Sequence, residues 1–220
     1  MSRHLAIGDI HGCITALRSL VDVVEPGSSD TIVTLGDYVD RGPDSCAVVD
    51  FIMALGEQHQ VITLRGNHEI MMLDARDKKS WLQPWLSYGG EATLNSYGGS
   101  FDGVPAAHFD FLENRLVSYY ECDTHFFVHA NADADVALDD QSDAALYWRK
   151  YSDPPPHCSN KVMVCGHTSQ RSGLPRGNGH SVCIDTWACG EGWLSCLDVD
   201  SGTIWQANEA GETRSFELDG

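Results

Sequence analysis

The most constraining feature of the sequence is the segment Gly36 to Gly42, which places two aspartates and an arginine between glycines. It follows an apolar, β-branched run over residues 31–35, which is typical of a buried strand, and it precedes Pro43, a favoured first residue of a helix. Charged groups beside a buried strand need a partner, because an unpaired buried charge is costly. A metal ion is the natural partner.

Two similar segments flank this one. Gly8-Asp-Ile-His-Gly12 follows an apolar run over 5–7, and Arg65-Gly-Asn-His-Glu69 follows another over 61–64. Apolar residues at helical spacing connect the segments, with a first helix closed by Pro26-Gly27 and a second running from near Pro43 to Gly56. Strands joined by such crossover helices run parallel, and ligands of parallel sheets bind beyond the carboxyl ends of the strands. The three segments should therefore meet at one edge of a sheet.

Residues 70–114 read as helical pieces interrupted by glycines, and we expect them to form a helical cap inserted over the site. Trp81, Trp85 and Tyr88 in this insertion could form a platform for a substrate. Aromatic residues at helical spacing more often belong to a core, and we favour the core.

The second half of the chain is richer in strand patterns, which predict a second sheet from runs over 124–128, 161–165, 181–184, 193–199 and 203–206. The first two runs end in His129 and in Gly166-His167. The segment over 171–180 reads as an irregular loop, because it is rich in Pro and Gly. Residues 209–220 read as a polar C-terminal tail with little order.

Composition limits the organisation of the chain and its partners. At 220 residues and 42% hydrophobic, we expect one domain over residues 1–208. The net charge of −18 argues against binding to nucleic acid or to an anionic membrane. Eight cysteines without a Cys-x-x-Cys pair, and no apolar leader or membrane-spanning run, predict a reduced cytoplasmic protein. We expect a monomer.

The polar residues at the strand ends form one candidate ligand set. Its members offer nitrogen and oxygen donors: Asp9, His11, Asp37, Asn67, His129 and His167. Such donors suit Mn²⁺, Fe or Zn²⁺ and differ from the thiolates of a structural zinc site. Six donors are too many for one ion with an open position, so we expect two ions.

Together the three segments over 8–12, 36–42 and 65–69, with His129 and Gly166-His167, closely resemble the phosphoprotein phosphatase (serine/threonine phosphatase) branch of the calcineurin-like metallophosphoesterases. The resemblance spans residues 5 to about 199. His129-Ala-Asn131 stands where large eukaryotic members carry His-Gly-Gly, so the chain looks like the compact bacterial and phage type. The implied fold is α/β, a four-layer α/β/β/α sandwich with a helical insertion after the third motif.

The resemblance implies a dinuclear centre with two divalent metal ions. We expect Mn²⁺, with Fe, Zn²⁺, Ni²⁺ or Co²⁺ as alternatives. One ion is held by Asp9, His11 and Asp37, and the other by Asp37, Asn67, His129 and His167, so that Asp37 bridges them. The implied reaction is direct attack on phosphorus by a hydroxide that bridges the two ions.

The resemblance also assigns the groups that act on the substrate. Arg41, Arg65 and Arg149 match phosphate-gripping arginines, and Asn67 also faces the substrate. His68 matches the general acid, oriented by Asp40. For Arg149, the simpler interpretation is a surface salt bridge, and it competes with the phosphate-binding role. For Asp44 and Glu69 the competing interpretation is a charge at a helix start with no catalytic task.

The expected function is hydrolysis of phosphomonoesters, foremost phosphoserine and phosphothreonine in proteins, with phosphotyrosine or a small phosphomonoester as further substrates. The alternative is a dinucleoside polyphosphate hydrolase acting on diadenosine tetraphosphate. Symmetrical diadenosine tetraphosphatases usually lack an acid at the position of Asp40 and end the third block in Asp, where this chain has Glu69. A catalytically idle phosphate-binding scaffold is a third alternative, disfavoured because every ligand is present.

Overall fold

The computed structural model describes residues 2–218, and in this range the chain forms two β-sheets with helices. The strands are β1 (His4–Ile7), β2 (Thr31–Thr34), β3 (Gln60–Thr63), β4 (Tyr119–Glu121), β5 (His125–Val128), β6 (Val162–Cys165), β7 (Arg176–Gly177), β8 (Ser181–Cys183), β9 (Leu194–Asp198), β10 (Thr203–Ala207) and β11 (Thr213–Glu217). The α-helices are α1 (Ile14–Val24), α2 (Ser45–Gln58), α3 (Asn67–Asp77), α4 (Lys79–Trp85), α5 (Glu91–Ser96) and α6 (Ala106–Asn114).

The first sheet has the strand order β11-β10-β9-β1-β2-β3, and the second has the order β4-β5-β6-β8-β7. β1, β2 and β3 run parallel in register, with Ile7 beside Thr34 and Thr34 beside Thr63. β5, β6 and β8 are likewise parallel. The expected parallel arrangement is confirmed, but β9 and β10 join the first sheet rather than the second, because β9 pairs antiparallel with β1.

Three apolar clusters define the layers. Ala6, Val33 and Leu35 of the first sheet pack against Phe127 and Val164 of the second. A larger cluster joins the outer face of the first sheet to α1, α2, α3 and α6. On the outer face of the second sheet, the third cluster is covered by short turns and loops, including a 3-10 turn (Leu138–Asp140) and a π-helical turn (Ala144–Trp148). The mixed α/β fold with two sheets is as expected, while its fourth layer contains short helical turns.

The boundaries of α2 illustrate how local chemistry sets an element. The side chain of Asp44 caps the helix by accepting from Ala47 N at 2.9 Å, so the helix begins at Ser45, just after Pro43 and Asp44. The expected end at Gly56 is wrong. The helix continues to Gln58, since Gly56 keeps helical geometry in open surroundings.

The insertion contains α4, a π-helical turn (Leu86–Gly90), α5 and α6, and its helices α5 and α6 pack on α2. Trp85 belongs to the core at 1% exposure, as expected. For Trp81 and Tyr88 the core assignment is wrong, because their side chains are exposed at 45% and 59%.

Residues Thr213–Glu217 correct the expectation of a disordered tail. They form β11, which pairs antiparallel with β10 along its whole length. The last two residues of that expected tail, 219–220, lie outside the described residues. The segment over 171–180 also contains regular structure, because β7 pairs with β8. Within residues 2–218, no helix has the length and apolar character needed to cross a membrane.

Candidate metal centre

Five strand ends deliver the predicted ligands to one region. Asp9, Asp37 and Asn67 follow β1, β2 and β3, while His129 and His167 follow β5 and β6. Parallel strands that end at one edge bring the residues after them together. All of these side chains are buried except that of His167, which is partly exposed. His11 lies in the same region, and its ring faces the carboxylate of Asp37.

The carboxylate of Asp37 is the centre of this arrangement. Its Oδ2 lies 3.4 Å from Nε2 of His11, and its Oδ1 lies 3.5 Å from Nε2 of His129. Asn67 Oδ1 lies 3.0 Å from Nε2 of His129 and 2.9 Å from Nδ1 of His167. Burial alone would raise the pKa of Asp37, but the surrounding histidines, His129 first, hold it below its ordinary value.

Three histidines share one hydrogen-bonding pattern. In each, one ring nitrogen donates to a backbone carbonyl: His11 Nδ1 to Val39 O at 2.9 Å, His129 Nδ1 to Leu35 O at 2.8 Å, and His167 Nε2 to Trp148 O at 3.2 Å. A carbonyl can only accept, so the other nitrogen of a neutral ring presents a lone pair to the centre. Fixing the tautomer through a carbonyl in this way is typical of metal-binding histidines.

The pKa values of two of these histidines favour the neutral ring. Burial, helped by His68, lowers the pKa of His11 well below its ordinary value. Burial and the neighbouring His129 lower the pKa of His167 to about 4. Near neutral pH both rings therefore offer a lone pair, which is what a ligand to a cation requires.

Asp9 lies beside this set in a different way. Its carboxylate accepts from the backbone N of His167 at 2.9 and 3.1 Å, and Gly166 fits against it because a Cβ there would lie 1.9 Å from Asp9 Oδ1. Burial, together with Asp185 and Asp37, raises the pKa of Asp9 well above its ordinary value. Such crowding of buried carboxylates is relieved by a cation.

His68 differs from the other histidines, because its Nδ1 donates to a carboxylate, Oδ2 of Asp40, at 2.6 Å. Burial opposes protonation of His68, but Asp37 and then Asp40 raise its pKa above the ordinary value. The same ring lies close enough to Asp37 and His11 to complete a potential three-ligand group with them. The second such group consists of Asp37, His129 and His167.

The three predicted phosphate-binding arginines occupy different surroundings. Arg41 donates from Nη1 to His11 Nε2 at 2.7 Å and from Nη2 to His68 Nε2 at 2.9 Å, so it faces the centre. Arg65 donates from Nη2 to the backbone O of Glu113 at 2.8 Å, and its buried Nε has no hydrogen-bond partner among residues 2–218. Arg149 is exposed and forms an ion pair with Asp133.

Glu69 has more contacts than a charge at a helix start would need. Its carboxylate is fully buried and accepts from the backbone N of Asp37, Tyr38 and Gly66 at 2.8–2.9 Å. Burial and the nearby Asp37 raise its pKa to about 7. Glu69 therefore holds together two of the ligand-bearing loops, which is a structural task beyond that of a helix-start charge. The sequence places it at the start of α3 but carries no sign of partners some thirty residues earlier.

Asp185 was not singled out from the sequence. It follows β8 and is buried, accepting from Ser169 Oγ at 2.8 Å and from the backbone N of Trp187 at 3.0 Å. Burial raises its pKa, and its charge in turn raises that of Asp9. Its position after a buried strand is the same signal that identified the other site residues.

The chain matches a known protein family. The model of the calcineurin-like phosphoesterase family matches residues 2–188, which is most of the chain. The chain belongs to this family. Its members use divalent metal ions, in keeping with the two potential ligand groups around Asp37.

Among relatives of this calcineurin-like phosphoesterase, "Serine/threonine-protein phosphatase 1" of Salmonella typhimurium is 41% identical over 91 residues, covering 40% of each chain. "Bis(5'-nucleosyl)-tetraphosphatase, symmetrical" of Edwardsiella ictaluri is 40% identical over 70 residues, covering 31% of this chain and 24% of that protein. The matched region thus spans well under two thirds of these relatives. A cold-active protein-tyrosine phosphatase of a Shewanella species shares the fold with TM-score 0.70 at 17% identity, over 99% of this chain and 81% of that one.

The donor set of this phosphoesterase fits a pair of divalent cations. In the neutral tautomer, Nε2 of His129 faces oxygens of Asn67 and Asp37, so lone pairs point at lone pairs unless a cation lies among them. Mixed imidazole, carboxylate and amide donors suit first-row divalent ions. One adjustment is needed, because Arg41 now donates to the Nε2 lone pair of His11.

Proposed function

We propose that the protein is a metal-dependent phosphomonoesterase that acts on phosphoserine and phosphothreonine in proteins. The observation that carries the proposal is the difference between His68 and the other histidines of the centre. Three rings are oriented by carbonyls and present lone pairs, whereas His68 is held by the carboxylate of Asp40. A carboxylate partner stabilises the protonated ring, so His68 is suited to give a proton rather than to bind a cation.

The residues that would hold two ions are Asp9, His11, Asp37, Asn67, His129 and His167, with Asp37 shared. When bound, a pair of divalent cations neutralises charge on the phosphoryl oxygens and lowers the pKa of a coordinated water. Mn²⁺ is the first metal to test, since imidazole and carboxylate donors accept it together with Fe and Zn²⁺.

The chain's own residues supply binding and proton transfer. The guanidinium groups of Arg41 and Arg65 bind phosphoryl oxygens through paired N–H groups, and their charge stabilises the transition state. A phosphate oxygen is a better acceptor for Arg41 than the two ring nitrogens it now contacts. Its departure frees Nε2 of His68 to take up a proton from solvent, and that proton then passes to the leaving oxygen of the substrate.

The need for an acid favours a phosphomonoester over a dinucleoside polyphosphate. A serine or threonine alkoxide is a strong base and leaves poorly without a proton, whereas a nucleoside diphosphate is a weak base and leaves readily. The pair of His68 and Asp40 therefore matters most for an alcohol leaving group. Hydrolysis of diadenosine tetraphosphate remains the second candidate, because several relatives carry the name of a symmetrical tetraphosphatase.

The test is a substrate profile of the Mn²⁺-loaded protein against phosphoserine, phosphothreonine and phosphotyrosine peptides and diadenosine tetraphosphate. We expect the phosphoserine and phosphothreonine peptides to have the highest kcat/KM, with turnover lost on chelation and in Asp37→Asn. The Asp37→Asn protein, purified in parallel, controls for contaminating phosphatases. Faster turnover of diadenosine tetraphosphate than of every peptide would establish the second candidate instead. Binding of phosphate without metal-dependent turnover of any substrate would indicate an idle scaffold.

A further inference from the structure

The carboxylate of Asp40 is held by the helical insertion as well as by His68. Trp85 Nε1 donates to both of its oxygens, at 3.0 and 2.9 Å, and Thr93 Oγ1 donates to Oδ1 at 2.7 Å. Asp40 is fully buried, so no solvent is available to replace these donors. The carboxylate thus has three protein donors, and two of them come from α4 and α5.

The insertion also binds the backbone at this point. Asp40 and Arg41 both have positive φ, at 74° and 71°, in the left-handed region that non-glycine residues rarely adopt. Such a conformation persists only where the surroundings hold it. The backbone N of Asp40 donates to Thr93 Oγ1 at 2.8 Å, and that of Arg41 donates to Gly89 O at 3.1 Å. Ser45 Oγ of α2 accepts from the same backbone N of Asp40 at 3.1 Å, so the insertion and α2 together hold this strained backbone.

Close packing leaves little freedom to this contact. A Cβ on Gly89 would lie 2.8 Å from the backbone N of Arg41, and a Cβ on Gly90 would lie 2.3 Å from the indole of Trp85. Gly89 itself has φ +112°, which also favours glycine. Phe101 also stacks on the indole, with ring centroids 5.3 Å apart. Contacts with Gly90 and Phe101 therefore hold the indole in the orientation in which its N–H meets Asp40.

We propose that Trp85 and Thr93 are positioning residues for the proton transfer, acting on His68 through Asp40. Their donors fix the rotation of the Asp40 carboxylate, so that Oδ2 stays 2.6 Å from Nδ1 of His68 and the ring points Nε2 at the leaving oxygen. The insertion then works as a support for the acid, in addition to any covering role. This inference rests on the proposed function, because it requires His68 to be the general acid.

The test compares Trp85→Phe and Thr93→Val with wild type on two substrates, in the Mn²⁺-loaded protein of 220 residues. Phosphoserine peptide has a leaving group that needs a proton, and nitrophenyl phosphate has one that does not. Each variant should lose on the order of 10- to 100-fold in kcat/KM on the peptide, a part of the 10²–10⁴ that an acid supplies, and clearly less on nitrophenyl phosphate. Thr93→Ser keeps the hydroxyl and should restore the peptide rate.

Ser96→Ala is the matched control. Ser96 Oγ accepts from the backbone N of Cys46 and donates to the backbone O of Thr93, so it ties the same helix to α2 without touching Asp40. Removing this hydroxyl should change kcat/KM by the same factor on both substrates. If Trp85→Phe fails to fold, the comparison of Thr93→Val with Thr93→Ser decides alone.

The variant His68→Asn distinguishes a failure of the positioning role from a failure of the proposed function on which it rests. One outcome is that His68→Asn loses more kcat/KM on the peptide than on nitrophenyl phosphate, while Thr93→Val lowers kcat/KM equally on both. This outcome overturns the positioning role and leaves His68 as the general acid. If His68→Asn itself affects both substrates equally at full metal occupancy, the assignment of the acid fails first. A leaving-group-dependent loss in Thr93→Val that Thr93→Ser reverses supports the inference.

Discussion

Nη1 of Arg41 donates to Nε2 of His11 at 2.7 Å, although His11 is a proposed metal ligand and Arg41 a proposed phosphate ligand. His11 Nδ1 is already committed to Val39 O, so Nε2 is the only ring nitrogen that can bind a cation. The arginine and the ion therefore compete for one lone pair. Like charges in a partly buried site also repel each other. Arg41 should consequently weaken metal binding while it promotes catalysis.

Arg41→Gln should bind Mn²⁺ more tightly than wild type, by roughly ten-fold, because both the competition and the repulsion are removed. The same variant should lose catalytic efficiency on phosphoserine peptide. Arg41→Lys should also lose on the order of 10- to 100-fold in kcat/KM on this peptide, because an ammonium cannot make two parallel contacts with a phosphate. Calorimetric titration with Mn²⁺ and steady-state kinetics are the two measurements. Weaker metal binding by Arg41→Gln would refute the competition.

Asp37→Asn should abolish most metal binding, since Asp37 belongs to both potential ligand groups. Saturating Mn²⁺ should raise the Tm of wild type by roughly 5–10 °C, because the ions bind only the folded chain. In Asp37→Asn this increase should largely disappear, while the metal-free Tm changes little. Asp44→Asn is the control, because Asn also caps a helix and Asp44 lies outside the site. A full metal-induced increase in Asp37→Asn would remove Asp37 from the centre.

The Arg3–Asp30 pair should make stability depend on pH. Burial alone would raise the pKa of Asp30, but Arg3, which donates from Nε and Nη2 to Oδ2, and the backbone N of Gly27 lower it to about 2. A depressed folded pKa contributes stability above the unfolded value of about 3.9 and loses it as pH falls toward 2. The shift corresponds to on the order of 2 kcal/mol at pH 7, about half of it remaining at pH 3.

Urea unfolding of metal-free wild type and Asp30→Asn at pH 7 and pH 3 measures this contribution. We expect Asp30→Asn to be less stable at pH 7, with a smaller difference at pH 3. Glu121→Gln breaks the exposed pair with Lys161 and should change stability by less than about 1 kcal/mol at either pH. An equal difference at both pH values would mean that the Asp30 charge does not stabilise the fold.

Strand ends and their ligands could be predicted because each signal is local. β2 is fully buried, so it needs an unbroken apolar or β-branched sequence, and Asp37 after it stands out by contrast. β11 has no such signal. Its side chains are mostly exposed, and the strand is held by backbone pairing with β10 and by Arg214 stacked over Trp193 at 4.3 Å. Backbone pairing leaves no mark on a polar sequence, so this strand was missed.

The residues that orient the site groups could not be predicted from the sequence for a related reason. Trp85 has the spacing of a core residue and is one, but its second task depends on where a single N–H points. Glu69 is similar, since its partners come from a loop distant in sequence. Residue type and spacing identify groups that bind ligands, whereas the residues that orient those groups are defined by three-dimensional contacts.

The ion pair between Arg149 and Asp133 leads to the last prediction. Both side chains are exposed, at 44% and 40%, and a single exposed pair is worth about 0.2–1 kcal/mol. If Arg149 binds phosphate, it must first leave Asp133. Trp148, its neighbour, already contacts His167 through its carbonyl, so Arg149 lies at the rim of the centre.

Asp133→Asn should therefore lower KM for phosphoserine peptide by about 1.4- to 5-fold, which is the free energy of the exposed pair expressed as a ratio. Arg149→Ala should raise KM and the inhibition constant of inorganic phosphate, with kcat less affected. Asp153→Asn is the control for the charge change, because Asp153 pairs with Arg176 at an equally exposed position. Unchanged KM and inhibition constants in both Asp133→Asn and Arg149→Ala would make Arg149 a surface ion pair and leave Arg41 and Arg65 as the phosphate ligands.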